Sequence, residues 1–361
     1  MSSETLPSDD VLFIRLAMKR GILPPEGRDE ALALQEKMRE MGLIPKPIAA
    51  ILEERSMMRP EDVQEIIAQV ARVRQAYRIP GYRLLKRLGR GSMGTVYKAQ
   101  QLRLGRDVAI KILAPFLAEN EAYVRRFMKE ARVVGKLNHP NIVQGFDAGQ
   151  VDGIWYFAME YVEGATLLQI LQRGAMDEDR AVHIVTQVAR ALDHAYNQDL
   201  VHRDVKPDNI MIVAGGVAKL CDLGLAKDVT RTSGSTEKGV TLGTPNYMSP
   251  EQVRGDVDVD IRSDIYSLGA TLYHAVAGVP PFSGQNPAVI MVKHLNEPAL
   301  PPRQRVPTLS AELEPIIMKM LAKNPLDRYQ TPSELLIDLE NHRARREGRP
   351  EPFPRTRKKA P

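Results

Sequence analysis

Residues 200–211, LVHRDVKPDNIM, constrain this chain more than any other stretch. Five polar side chains, His202, Arg203, Asp204, Lys206 and Asn209, fall within eight residues. Val201 precedes them, and Ile210, Met211, Ile212 and Val213 follow. Apolar flanks of this kind anchor a polar loop in a core. A loop pinned at both ends holds its side chains in set directions, which catalysis by positioning requires. The chain can build such a core: 43% of the 361 residues are apolar, enough for two domains or for one large domain with an extension.

Charge narrows the partners. The net charge is +5, but residues 342–361 hold eight Arg and Lys against Glu347 and Glu351. That segment is +6, which leaves residues 1–341 at −1. The basic character belongs to a tail, and a nucleic-acid partner is not expected from it. Beyond His342 the Arg, Lys, Pro and Glu content predicts a disordered segment over 342–361. The single cysteine, Cys221, excludes an intrachain disulfide framework and suits a reducing compartment. Glu4, Asp9 and Asp10 stand where a signal peptide would carry positive charge, and no apolar run is long enough to span a bilayer. A cytoplasmic protein with no membrane contact is expected.

Residues 1–81 read as a helical module. Apolar residues recur at three and four, as in Ala31, Leu34, Met38 and in Val63, Ile66, Ile67, Val70. A weak repeat has a period of 35: Arg20 meets Arg55, Pro25 meets Pro60, Glu26 meets Glu61 and Glu30 meets Glu65. Each copy is a helix end, a Pro-Glu start and a new helix, so two copies would make a four-helix unit. Two ordinary hairpins with similar punctuation are the alternative. The module has no cluster of candidate catalytic residues, so a regulatory partner is expected there rather than chemistry.

Tyr82–Leu88 and Thr95–Gln100 read as two strands around Gly89-Arg90-Gly91-Ser92-Met93-Gly94. Glycines let backbone N–H groups approach phosphates where side chains would collide. The element after the loop, TVYKA, reads as a strand, which argues against a dinucleotide site. Val108-Ala109-Ile110-Lys111 follows, and an inward Lys on an apolar strand is costly unless paired. Glu130, on a predicted helix over 119–137, is the better partner and Glu121 the poorer.

The order of these motifs closely resembles the protein kinase family, over about residues 82–341: G-x-G-x-x-G, the Lys of VAIK, the helix Glu, H-R-D-x-K-P-x-N, Asp222-Leu223-Gly224 and Ser249-Pro250-Glu251. Lys206 two residues after Asp204, and Thr244, resemble the serine/threonine branch; VHRDVKPDNIM and GTPNYMSPEQ resemble its bacterial members. The resemblance implies an α+β, two-lobed fold behind the all-α module, with ATP and Mg²⁺ as cofactors and Ser/Thr hydroxyls of proteins as acceptors. It implies that Asp204 orients the hydroxyl, that Lys206 neutralises phosphate charge and that Asn209 and Asp222 ligate the metal. Residues 88–94 would cover the phosphates, with Lys111 on the α/β-phosphates held by Glu130. Val96, Ala109 and Met211 would sandwich the adenine, Met159 would back the pocket, and the backbone of Glu160 and Val162 would bond the adenine edge. Leu223 replaces the family's usual Phe, and a nucleotide-binding scaffold without catalysis is the alternative. Residues 226–242, rich in Ser and Thr, resemble an activation loop, with Thr241 the first candidate for autophosphorylation and Arg203 a partner for the phosphate. Ser249 stands where the family usually has Ala, a small change. Glu251 is expected to pair with Arg328, and Asp264 to receive backbone N–H groups of the catalytic loop.

Overall fold

Punctuation by Pro and Gly divides the first 75 residues into helices, each of which turns an apolar stripe inward. The computed structural model describes residues 9–41, 45–75, 79–91, 93–222 and 245–353. Helices α1 (Asp9–Lys19), α2 (Pro25–Glu40), α3 (Ile48–Glu54) and α4 (Pro60–Gln75) share one core, built on Phe13, Ala17, Leu23, Ala31, Ile51, Leu52, Val63 and Ile66. The 35-residue repeat is present in the backbone bonds. α1 ends with Gly21 N–H on Met18 O and Ile22 N–H on Ala17 O. α3 ends with Ser56 N–H on Glu53 O and Met57 N–H on Leu52 O. Gly21 (φ 70°) and Ser56 (φ 55°) both take the left-handed conformation that closes such an end. Across the repeat, Asp10 accepts Ile48 N–H at 2.9 Å and Gln35 Nε2 at 2.7 Å. It thereby caps α3, whose own N-cap, Pro47, offers no side-chain acceptor.

The chain divides into two units, residues 1–119 with 149–158 and residues 120–148 with 159–361. Besides the helical module, the first unit holds β1 (Tyr82–Arg90), β2 (Gly94–Gln101) and β3 (Arg106–Leu113), paired antiparallel in sequence, then the short α5 (Pro115–Ala118). Val96 lies opposite Lys111 and Lys98 opposite Ala109. With β4 (Gly145–Val151) and β5 (Ile154–Glu160) the sheet order is β1-β2-β3-β5-β4.

The second unit is helical. It contains α6 (Glu121–Val134), a small sheet of β6 (Gly164–Thr166), β7 (Ile210–Val213) and β8 (Ala218–Leu220), and α7 (Leu167–Leu171), α8 (Glu178–Tyr196), α9 (Pro250–Arg254), α10 (Ile261–Ala277), α11 (Pro287–Asn296), α12 (Pro302–Arg305), α13 (Leu313–Met320) and α14 (Pro332–Arg346). α10 is buried on nearly every face and packs on α8 and α13; α14 packs on α8. The antiparallel β6-β7-β8 sheet places the catalytic stretch before β7 and Asp222 just after β8.

The boundary of the basic tail needs correction. Residues 342–353 are not a disordered extension: α14 continues to Arg346 and turns His342 and Ala344 into the core. Arg346 pairs with Asp179 at 2.8 Å, and the buried Asn341 amide exchanges two bonds with the backbone of Phe353. Composition counts the charges, but the helix carries them on one face while the other is buried. The remainder of that tail, 354–361, lies outside the described residues. So do Ser92, Leu223, Gly224 and the whole 223–244 segment, Thr241 and Thr244 included. Among the described residues, no helix is long and apolar enough to cross a membrane.

Candidate active site

The catalytic stretch is held from below by one carboxylate. Asp264, in the first turn of α10, accepts His202 N–H and Arg203 N–H, each at 2.7 Å. Burial pushes its carboxyl up to about 7, against the opposing pull of those two donors. His202 is fully buried; its Nε2 lies 3.0 Å from Cys221 O and its Nδ1 accepts Asp204 N–H at 3.2 Å. It is a structural spacer between the loop and the strand end. Arg203 has a positive φ of 64°, a conformation that costs free energy for a residue with a Cβ and that the two Asp264 bonds hold in place. The turn at Arg203 is what brings Asp204 round to face Lys206 and Asn209.

Lys206 Nζ lies 2.9 Å from Asp204 Oδ2. Asn209 Nδ2 donates to Asp204 O at 2.9 Å and to Asp204 Oδ2 at 3.1 Å. The Asn209 amide nitrogen is therefore engaged, which leaves its Oδ1 as the atom able to serve an incoming group. Asn209 O accepts Cys221 N–H at 2.8 Å, tying the loop to the residue before Asp222. Asp222 also has a positive φ, 49°. Burial pushes the Cys221 thiol up, so it is not a poised nucleophile.

The second unit thus brings together Asp204, Lys206 and Asn209, with Asp222 two residues beyond the end of β8. It also contains Glu130, buried on α6, along with Met159, Glu160, Val162 and Met211. Glu160 N–H donates to Gln144 O at 2.8 Å, so this N–H is already engaged and is not the group that would meet a ligand. Leu88, Gly89, Arg90, Gly91, Met93, Gly94, Val96, Ala109 and Lys111 belong to the sheet unit. There Gly94 is demanded by the fold, since a Cβ would sit 1.9 Å from Ile112 O. Gly89 and Gly91 are not: a Cβ at either meets nothing within 4 Å.

The expected anchor is present. Arg328 Nη1 and Nη2 fork onto the two Glu251 oxygens at 2.6 and 2.9 Å, both side chains buried. His139 is a turn residue, its Nδ1 accepting Asn141 N–H. Two supports escape the sequence reading. Ser249 is more than a small change from Ala. It caps α9 in a reciprocal box with Gln252, and its Oγ lies 2.6 Å from Ser263 Oγ. Gln252 Nε2 then reaches Arg203 O at 2.8 Å, bracing the catalytic stretch from a second side. The signal is in the sequence, because S-x-x-Q before a helix is a capping box.

With this geometry in place, comparison with known proteins is direct. A family model described as the protein kinase domain matches residues 82–337, and the chain belongs to that family. It is 42% identical over 263 residues to serine/threonine-protein kinase PknB of Mycobacterium leprae, covering 72% of this chain and 42% of that one. It is 44% identical over 260 residues to the probable serine/threonine-protein kinase CPE1738 of Clostridium perfringens, covering 72% and 38%. The chain therefore spans about two fifths of the length of these relatives. Among solved structures, the crystal structure of the Mycobacterium tuberculosis PknI kinase domain matches with a TM-score of 0.59 at 31% identity, over 74% of this chain and 98% of that one.

Proposed function

We propose that the chain is a serine/threonine protein kinase, transferring the γ-phosphoryl group of ATP to Ser or Thr hydroxyls of proteins. The observation that carries this reading is the Asp204 carboxylate, flanked by Lys206 and Asn209 on a backbone fixed by Asp264. Asp204 orients the acceptor hydroxyl and takes its proton. Lys206 offsets the negative charge spread over the transferred group. The relatives' names, serine/threonine-protein kinase, support the acceptor class.

The oxygen donors suit a hard cation: Asn209 presents Oδ1 because its Nδ2 is bound to Asp204, and Asp222 adds a carboxylate. Mg²⁺ held there would neutralise phosphate charge. Residues 88–94 are assigned to the phosphates, and the open space at Gly89 and Gly91 supports close approach by a ligand. Lys111, steadied by Glu130, is assigned to the α/β-phosphates. Val96, Ala109, Met159, Glu160, Val162 and Met211 are assigned to the adenine. The helical module of residues 1–81 is assigned to a regulatory protein partner, and autophosphorylation to the 226–242 segment. ATP as donor and a single thiol suit the reducing cytoplasm.

The test is transfer from γ-labelled ATP by wild type and Asp204→Asn. The substitution should lower transfer by about 10²–10⁴-fold, the usual contribution of a positioned base, while ATP binding persists. Equal transfer by both proteins would overturn the assignment of Asp204.

A further inference from the structure

Glu160 closes β5, and its side chain does something a strand-end carboxylate has no need to do. In a regular antiparallel pair, two facing residues exchange both backbone bonds. Glu160 N–H does donate to Gln144 O at 2.8 Å. The returning bond, from Gln144 N–H, goes to the Glu160 carboxylate at 3.3 Å. The carboxylate stands in for the residue's own carbonyl and leaves that carbonyl outside the pair.

Lys219 holds the carboxylate in this position. Its Nζ lies 2.9 Å from both Oε1 and Oε2 of Glu160. The side chains are only 17% and 28% exposed, so solvent screens the pair less than it would a surface pair. The platform under Lys219 is rigid. Its neighbours Ala218 and Leu220 are buried, and Lys219 faces Met211 across the small sheet. Asn141 Nδ2 bonds Ala218 O at 2.8 Å and Gln187 Oε1 at 2.9 Å, Gln187 Oε1 accepts Ala218 N–H at 3.0 Å, and Leu220 N–H donates to Asn141 O at 2.8 Å. Three residues beyond Lys219 comes Asp222.

We infer that Lys219 is a nucleotide-positioning residue: by keeping the Glu160 carboxylate on Gln144 N–H, it presents the Glu160 carbonyl to an amino group on the purine. The inference rests on the reading, given above, that residues 159–162 take the adenine edge. Without Lys219 the carboxylate swings to solvent, Gln144 N–H recaptures the carbonyl and the acceptor turns away from the ligand. A purine that carries no amino group is indifferent to that change.

The experiment compares ATP with purine riboside triphosphate, which lacks the 6-amino group, as phosphoryl donors for the full chain. Lys219→Met should raise KM for ATP about tenfold, the worth of one hydrogen bond. It should leave kcat and the KM of the deamino nucleotide within about twofold of wild type, and Lys219→Arg should restore most of the preference. Glu160→Met, which keeps the side chain's length and removes both acceptor oxygens, should shift the two KM values as Lys219→Met does and carries the test if Lys219→Met fails to fold. Equal rises for both nucleotides, or no change for either, would overturn the inference and reduce the pair to a structural tie. Wild type that binds neither nucleotide would overturn the adenine-edge reading, and the inference with it.

Discussion

Glu251→Gln removes one charge from a pair that is buried at both ends. Arg328 uses all five of its N–H donors: two on Glu251, and one each on Ala322 O, Arg262 O and Lys323 O, at 2.6–3.1 Å. The substituted side chain would face the guanidinium with an amide nitrogen in place of one oxygen, leaving a buried cation without its counter-charge. Breaking a buried pair in this way costs about 3–5 kcal/mol. For a unit of this size that lowers the melting temperature by roughly 10 °C. Far-UV circular dichroism follows the helices of both units, most of which lie in the second, while fluorescence of Trp155, the only tryptophan, follows the first. The helical transition should fall more than the Trp155 transition. Glu251→Leu combined with Arg328→Met should cost less than the two single changes added, because it removes both charges together, while the three carbonyls that Arg328 served lose their donor. A single-mutant shift below about 3 °C, equivalent to under about 1 kcal/mol, would refute the reasoning. So would a double mutant as destabilised as the two singles added.

Asp10→Ala should uncap α3 at a cost of about 1–2 kcal/mol, read as faster hydrogen exchange over residues 48–54, with Asp10→Asn closer to wild type. His294 is fully buried with Nδ1 2.8 Å from the Tyr266 hydroxyl, and burial depresses its pKa from 6.5 to about 3. The unfolded chain therefore binds this proton first, so the contribution is complete above pH 6.5 and lost as pH falls, by about 2 kcal/mol at pH 5. Melting temperatures at pH 5 and 7.5 should differ less for His294→Gln than for wild type. Gly91→Ala meets no protein atom, so it should leave the melting temperature nearly unchanged while raising KM for ATP severalfold if the loop approaches phosphate.

What can be read from sequence alone is local. The catalytic stretch is legible because its polar residues and apolar anchors sit within a dozen positions, and the Asp264 and Glu251–Arg328 supports follow from the family resemblance. The Asn141–Gln187–Ala218 network is not legible, since its members lie 31 to 77 positions apart and each reads alone as an ordinary polar residue. Lys219 is hidden for the same reason: its partner is 59 positions away. The 35-residue repeat shows only a few matched residues, whereas its backbone bonds repeat pair by pair, because helix ends depend on φ more than on side-chain identity. The tail misleads because charge counts ignore which face a helix buries.

The most direct test of the central claim is the identity of the labelled acceptor. The full chain, γ-labelled ATP, Mg²⁺ and a generic basic acceptor protein are incubated, and the labelled protein is hydrolysed to its phosphoamino acids. The account predicts label on phosphoserine and phosphothreonine, lost in Asp204→Asn. Label confined to phosphotyrosine, or to a small molecule with none on protein, would contradict it.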